Sequence, residues 1–199
     1  MESAKFVILN PTPDMTTAER WEVETRNLVD LLGRIAPLDC NSCVLDYGCV
    51  IGRLAKGLID RYGCQVIGVD ISARMRALAR EYVQTDRFVV CSPDELDRRV
   101  AGGLQATHAC ACWVIQHCLE PDTDLERIHS TLARGAWFFV LNSNLRWVPT
   151  DHGWAQDGIS IEELLAARFE VVAKSENPAE VVSPLLAGQS YWMLLRKRD

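Results

Sequence analysis

The feature that most constrains the fold of this chain is the stretch from Cys43 to Ile59. It opens with an apolar run that ends in Asp46, continues through Gly48 and Gly52, and closes with apolar residues at helical spacing. This pattern predicts a β-strand, a tight loop and a helix. Such a turn presents free backbone N–H groups and the positive end of a helix dipole, which together suit a bound ligand.

A second acidic residue makes the type of ligand predictable. The apolar run that follows the helix ends in Asp70, 24 residues after Asp46. A carboxylate at the tip of the second strand of a βαβ unit can accept hydrogen bonds from both hydroxyls of a ribose. The glycine loop and this acid together predict a nucleoside site far more specifically than the glycines alone.

The rest of the chain alternates between predicted strands and helices, which favours a mostly parallel sheet with helices on both faces. A helix of about 20 residues precedes the first strand, and Thr16 and Glu19 predict a capping box at its start. Thr123 and Glu126 predict another capping box. Further strands are predicted over 65–69, 87–91, 108–115, 136–141, 169–173 and 191–195, and further helices over 72–83 and 160–167.

The last third of the chain breaks this rhythm. Residues 142–158 are predicted to form a long connection rich in polar and aromatic side chains, which is our candidate for part of a ligand-binding pocket. The final two strands are joined by a segment with two prolines and no long helical pattern, so we expect them to be antiparallel.

Composition narrows the class of protein. With 199 residues, of which 48% are hydrophobic, the chain is sized for one globular domain, and its net charge of −6 argues against a nucleic-acid partner. The eight cysteines are scattered and no secretory signal opens the chain, so we expect reduced thiols and a cytoplasmic location. The lone CxxC of Cys40 and Cys43 predicts no metal site, and no apolar run is long enough to cross a bilayer.

At this point the sequence resembles a known family, the class I S-adenosylmethionine-dependent methyltransferases of the small-molecule type. The resemblance covers roughly residues 40 to 145. Its motifs are Asp46-Tyr47-Gly48-Cys49-Val50-Ile51-Gly52, Gly68-Val69-Asp70-Ile71-Ser72, Trp113-Val114-Ile115-Gln116-His117-Cys118 and Leu132-Ala133-Arg134-Gly135-Ala136.

The resemblance implies an α/β fold, a Rossmann-like sheet of seven mostly parallel strands with helices on both faces. It implies the strand order 3-2-1-4-5-7-6, with the last strand antiparallel. We expect a single methyltransferase-like domain over residues 1–199. It divides into an N-terminal segment and helix (1–37), a cofactor-binding core (38–145) and an acceptor-side loop with the C-terminal strands (146–199).

The resemblance also implies a cofactor, S-adenosylmethionine, with S-adenosylhomocysteine as product. Asp46 would order the loop and receive the ammonium of the cofactor, and Asp70 would take the ribose hydroxyls. The alternatives are a capping carboxylate for Asp46 and a turn residue for Asp70. The other candidate cofactor contacts are Gly48, Cys49, Val50, Gly52, Ile71, Ser92, Asp94, Trp113 and Trp21. Ser92 could equally be a helix cap, and Trp21 a packing residue.

Candidate acceptor-side residues follow the fourth strand and fill the long connection. His117 has the position and the chemistry of a general base, although a histidine at a strand end is often a hydrogen-bonded structural residue. Arg146, Trp147, His152 and Trp154 are the other candidates for contact with a small-molecule acceptor. The acceptor, the atom methylated and the oligomeric state stay open at this stage.

Position 50 departs from the family pattern, because it holds valine where most members have glycine. A β-branched residue at positive φ costs about 1 to 3 kcal/mol. Either the loop follows a different path, or the methionine end of the cofactor meets two extra methyl groups. The alternative function is therefore a lapsed methyltransferase-like binding or regulatory module. A nicotinamide-dependent oxidoreductase is disfavoured, because the glycine spacing of that fingerprint is missing after Gly48.

Overall fold

The computed structural model describes residue 9 and residues 11–13, 15–177 and 184–198. Its helices are α1 (Thr17–Ile35), α2 (Arg53–Tyr62), α3 (Ala73–Val83), α4 (Pro93–Ala101), α5 (Pro121–Thr131), α6 (Ile161–Arg168) and α7 (Pro184–Ala187). Its strands are β1 (Cys43–Tyr47), β2 (Gln65–Val69), β3 (Phe88–Cys91), β4 (Ala106–Cys112), β5 (Leu132–Ser143), β6 (Val148–Thr150), β7 (Gly153–Ala155), β8 (Phe169–Glu176) and β9 (Ser190–Lys197).

Seven of these strands form one sheet in the order β3-β2-β1-β4-β5-β9-β8. Strands β1 to β5 pair in parallel, whereas β9 runs antiparallel to both of its neighbours, β5 and β8. Strands β6 and β7 lie outside this sheet, so β8 is its sixth strand along the chain and β9 its seventh. The observed order is therefore the predicted 3-2-1-4-5-7-6. The α/β fold class and the antiparallel last strand are confirmed.

The core lies on both faces of the sheet, as expected for parallel strands covered by helices. One face buries Leu45, Phe138 and Leu165, and the other buries Val44, Leu58 and Phe139. Strand β1 sits between β2 and β4, so its carboxyl end opens where the strand order reverses. This is the position at which open α/β sheets bind ligands. None of the helices in the described part of the chain is long and apolar enough to cross a membrane.

The capping box predicted from Thr123 and Glu126 is wrong. Helix α5 begins at Pro121, Glu120 is its N-cap, and no side chain caps it. Proline fixes φ near the helical value and lacks an N–H, so it suits the first helical position and starts the helix earlier than predicted. The hydroxyl of Thr123 instead donates to the Glu120 carboxylate, at 3.3 Å. By contrast, the capping box of Thr16 and Glu19 is present.

Several other predicted boundaries need correction. Strand β5 begins at Leu132 rather than at residue 136, and β8 ends at Glu176 rather than at residue 173. Strand β4 ends at Cys112 rather than at residue 115, because Trp113 adopts a φ of 62° and the chain then turns into a short 3₁₀ helix, Ile115–His117. The connection predicted over residues 142–158 contains the antiparallel pair β6 and β7, which we call the flap hairpin. Its strands are only three residues long, too short to give an alternating pattern that the sequence could reveal.

Candidate active site

The loop between β1 and α2 has left-handed backbone at three alternate positions. The φ angles are 77° at Gly48, 49° at Val50 and 79° at Gly52. A Cβ on Gly48 would lie 2.2 Å from Cγ2 of Val114, so this position needs glycine for space as well as for φ. The loop therefore keeps a conformation that favours glycine, and Val50 adopts it at a cost of about 1 to 3 kcal/mol.

Two contacts of Val50 accompany this strain. Its backbone N–H donates to Oδ2 of Asp70 at 3.0 Å. Its side chain packs against the buried cluster of Leu9, Trp21 and Ile51. The side chain of Val50 thus connects the loop to the cluster that contains Trp21, a residue of helix α1.

Asp46 lies under this loop near the end of β1, and only 3% of it is exposed. Its Oδ1 accepts a hydrogen bond from the Cys110 thiol, with a sulfur-to-oxygen distance of 3.7 Å. Its Oδ2 has no hydrogen-bond partner among the described residues. Burial raises the pKa of Asp46 to about 6, an effect only partly offset by the Cys110 thiol and the Arg53 guanidinium. A buried carboxylate with an unused oxygen fits an ammonium group, which would supply the missing donor.

Asp70 follows the neighbouring strand β2, and two backbone N–H groups orient its carboxylate. Oδ2 accepts from Val50, and Oδ1 accepts from Ser72 at 2.8 Å. Each oxygen keeps a second lone pair, so the carboxylate can still accept from both hydroxyls of a ribose. Burial raises its pKa, against the two backbone hydrogen bonds. Ile71, next in the chain, is 87% exposed and is available to a flat apolar ligand.

The start of helix α4 carries the two residues predicted to lie near the adenine. Ser92 is the N-cap of α4 and accepts from the backbone N–H of Glu95 at 3.2 Å, as the capping interpretation predicts. Asp94 is exposed in the first turn of the same helix. Ser92 follows β3, and β3 pairs with β2, so this turn lies one strand away from Asp70.

Two adjoining cavities open at this end of the sheet. The smaller, about 30 Å³, is lined by Asp46, Gly48, Cys49, Val50, Arg53, Leu54 and Cys112. The larger, about 570 Å³, shares Val50, Arg53 and Cys112 with it and continues past Trp113 and His117. The cavity beneath the loop is thus small, and most of the combined cavity volume lies near the end of β4.

A buried charge cluster, which sequence reasoning missed, borders the larger cavity. Nε of Arg20 donates to Glu24 at 2.7 Å, and Arg53 lies 4.0 Å from the other oxygen of Glu24. The Arg53 guanidinium also lies 5.6 Å from the ring centroid of Trp21. Arginine and glutamate at i and i+4 usually form a solvated pair on a helix. The sequence feature that could have indicated this cluster is Arg53, a charged residue immediately after the glycine loop.

Trp21 itself has a packing role in this cluster. It is buried, its ring meets Tyr82 edge-on at a centroid distance of 6.0 Å, and it is absent from the lining of both cavities.

On the acceptor side, His117 is held by two partners. Its Nδ1 lies 2.9 Å from the carbonyl oxygen of Trp147, and its Nε2 lies 3.1 Å from Nε2 of Gln116. Its ring also meets Trp154 edge-on, with centroids 5.2 Å apart. His117 lines the larger cavity.

The other predicted acceptor-side residues do not line that cavity. Arg146 is buried and pairs with Asp157 through Nε at 2.9 Å, so it anchors the chain before the flap hairpin. Trp147 and Trp154 are 40% and 60% exposed, and His152 is exposed at the turn of the hairpin. Gln116, Ser143 and Gln189 do line the cavity. Gln116 stands in a family motif without having been assigned a role, and Ser143 and Gln189 were not among the predicted site residues.

Comparison with known proteins identifies the family. A family model described as a methyltransferase domain matches residues 20–180, most of the chain. The chain therefore belongs to the S-adenosylmethionine-dependent methyltransferases of class I, which confirms the resemblance seen in the sequence motifs.

Curated relatives include two small-molecule methyltransferases. N-demethylindolmycin N-methyltransferase of Streptomyces griseus is 34% identical over 139 residues, which cover 65% of this chain and 56% of the relative. Trans-aconitate 2-methyltransferase of Delftia acidovorans (strain DSM 14801 / SPH-1) is 27% identical over 175 residues, which cover 86% of this chain and 60% of the relative. This chain thus spans little more than half the length of these relatives.

A solved structure supports the fold. The crystal structure of a protein from Pyrococcus horikoshii OT3 matches with a TM-score of 0.69 and 20% identity, over 97% of this chain and 98% of that chain. At this identity the likeness concerns the architecture alone.

Proposed function

We propose that this chain transfers a methyl group from S-adenosylmethionine to a small-molecule acceptor by in-line displacement, as a single domain in the cytoplasm. The observation that carries the proposal is the pair of carboxylates on adjacent strands. Asp46 is buried with an unused oxygen, and Asp70 is oriented by two N–H groups with lone pairs to spare. The eight free cysteines support the proposed location, since reduced thiols are typical of the cytoplasm.

In this proposal each residue of the site has a separate task. The cofactor supplies an electrophilic methyl group on a sulfonium. Asp46 holds its ammonium, Asp70 holds its ribose, and Arg53, which lines both cavities, pairs with its carboxylate. The chain's main contribution is then alignment and exclusion of water, which account for most of the rate gain in such displacements. Ile71, Ser92 and Asp94 are the proposed adenine-side contacts.

The acceptor class is proposed from the two curated relatives, whose printed names specify small molecules. The larger cavity has room for such a molecule beside the methyl group. N-demethylindolmycin and trans-aconitate are therefore the first acceptors to test, with release of S-adenosylhomocysteine as the readout.

Isothermal titration with S-adenosylmethionine tests the cofactor site directly. Asp70→Ala removes two charge-assisted acceptors, each worth about 1.5 to 3 kcal/mol, so we expect an affinity loss of about 100-fold or more. Asp86→Ala, at an exposed carboxylate after α3, is the matched control and should bind like the parent protein. Equal affinity of Asp70→Ala and the parent would refute the ribose assignment.

A lapsed methyltransferase-like module is the second candidate. The observation that favours it is the narrow space of about 30 Å³ beneath the loop, which Val50 helps to line. This candidate predicts that the parent protein fails to bind S-adenosylmethionine and that Val50→Gly binds it. Binding by the parent favours the enzyme.

A further inference from the structure

The hydrogen bonds around Gln116 fix the orientation of its side-chain amide. Gln116 is buried, its backbone N–H donates to Oδ1 of Asn142 at 3.1 Å, and its Oε1 accepts from the backbone N–H of Ser143. Because a backbone N–H can only donate, the oxygen of the Gln116 amide must face Ser143. The NH₂ group of Gln116 therefore points to His117.

This orientation determines the tautomer of His117. The carbonyl of Trp147 can only accept, so Nδ1 of His117 carries the hydrogen of their 2.9 Å contact. The NH₂ group of Gln116 can only donate, so Nε2 of His117 accepts at 3.1 Å. The ring N–H donor of His117 and the lone pair on its other nitrogen are thus both engaged within the protein.

The other titratable side chains that line the larger cavity, within the described residues, are Arg20, Arg53 and Cys112. A guanidinium group has no lone pair with which it could accept a proton. Burial raises the pKa of Cys112, so its thiol stays protonated. Asp46 lines only the smaller cavity, under the loop. The described lining of the acceptor cavity thus has no unengaged group that could take a proton.

From this geometry we propose that His117 is a positioning residue and that the acceptor is a nucleophile from which none of the described residues removes a proton. His117 joins the flap hairpin to the floor of the cavity through Trp147 and through the edge of Trp154. Suitable acceptor groups are a carboxylate or an unprotonated nitrogen. This inference rests on the proposed methyl transfer and specifies its acceptor chemistry.

The transfer step then balances without a base. The lone pair of the acceptor forms a bond to the methyl carbon while the carbon–sulfur bond breaks, and the electrons of that bond stay on sulfur as a thioether. A carboxylate becomes a neutral ester. A neutral nitrogen becomes a cation, and solvent takes its proton after the transfer.

The decisive variants are His117→Asn and His117→Ala. Asparagine places an N–H donor where Nδ1 of His117 lies and cannot act as a base, whereas alanine removes the link to Trp147. For a positioning role we expect His117→Asn to keep kcat within about threefold of the parent. A general base contributes about 100-fold or more, so its loss would lower kcat equally in both variants and overturn the proposal.

Two readouts do not depend on turnover. Nitrogen NMR in mildly alkaline solution should show His117 protonated at Nδ1, and protonation at Nε2 would overturn the proposal. Hydrogen exchange of residues 148–155 should rise about fivefold to tenfold in His117→Ala, as expected for loss of a hydrogen bond worth about 1 kcal/mol. It should stay near the parent value in His117→Asn, and an equal rise in both variants would contradict the proposal.

Benzoate, aniline and phenol, which present a carboxylate, an unprotonated nitrogen and a hydroxyl on the same ring, test the acceptor class. We expect methyl transfer to benzoate or aniline and none to phenol. Transfer to phenol alone, or to none of the three, contradicts the acceptor class. Titration with S-adenosylmethionine separates these results from failure of the proposed function, since binding of the cofactor requires neither His117 nor an acceptor.

Discussion

The two sides of the candidate site are built in different ways. On the cofactor side, backbone geometry and buried carboxylates set the positions: left-handed φ angles recur through the loop, and Asp70 is held by the N–H groups of Val50 and Ser72. On the acceptor side, the flap hairpin exposes Trp154, and it is tied to the sheet by His117 and Arg146. The first side depends on residue types that the backbone dictates, and the second depends on a few long-range polar contacts.

This difference predicts where single substitutions act most strongly. Where the backbone conformation dictates the residue, a substitution introduces backbone strain or weakens binding of the ligand. Where one polar side chain holds a whole segment, its removal releases the segment.

Removing Arg146 should have the largest effect on stability. Its side chain is 4% exposed, pairs with Asp157 at 2.9 Å, and donates to the carbonyls of Ile115 and Leu119 at 3.3 and 3.4 Å. Arg146→Ala leaves the buried carbonyl of Ile115 without this donor and removes the cation that holds Leu119 and Asp157, so we expect the free energy of unfolding in urea to fall by about 3 kcal/mol.

The matched control for this change is Arg168→Ala. Arg168 also forms an ion pair, with Asp122 at 2.6 Å, but the two side chains are 26% and 59% exposed. An exposed pair contributes at most about 1 kcal/mol. If both variants lose the same free energy of unfolding, the burial of Arg146 does not make its contacts stronger than those of an exposed ion pair.

Asp46→Asn should stabilise the protein at neutral pH while weakening the cofactor site. Burial raises the pKa of Asp46 from 3.8 to about 6, so the folded state favours the protonated form. The stability that protonation provides is fully present below the ordinary pKa and is lost as pH rises through about 6. Above that pH the ionised carboxylate costs about 3 kcal/mol at most, and the neutral amide removes this cost.

Urea unfolding over a pH series checks this prediction. The gain in the free energy of unfolding should shrink towards zero as pH falls below about 4. Asp60→Asn, at an exposed carboxylate, should differ from the parent by less than about 0.5 kcal/mol at each pH. A gain for Asp46→Asn that does not depend on pH would contradict the pKa argument.

The sequence predicted the strand, loop and helix that carry the proposed cofactor contacts, for physical reasons. Gly48 and Gly52 are needed where φ is positive, and Asp70 directly follows a buried strand, so residue type and position are tied to local backbone structure. The alternation of strands and helices predicted the mostly parallel sheet, and the order of its strands came from the family resemblance.

The acceptor side could not be predicted in the same way. Gln116 and Gln189 reach the cavity because segments far apart in the chain meet there. A family motif contains Gln116 but does not show what its side chain contacts, and no motif contains Gln189. The charge pattern of Arg20 and Glu24 is that of a solvated helix pair, and only the fold buries it. The flap hairpin was missed because its strands are too short to show alternation.

Substitutions of Val50 should have the smallest effect but test the contrast most specifically. In the loop between β1 and α2, Val50 is the one residue other than glycine with a positive φ. Val50→Ala and Val50→Gly both lose the methyl contacts with Leu9 and Trp21, but only alanine keeps a Cβ at the φ of 49°. We therefore expect the glycine variant to unfold with a free energy about 1 kcal/mol higher than the alanine variant. At Val89, on strand β3 and 39% exposed, the same pair should show the opposite sign, because glycine weakens a strand. If alanine at position 50 proves as stable as glycine, the left-handed conformation is not what makes this position unfavourable for valine, and the backbone does not dictate the residues of the loop.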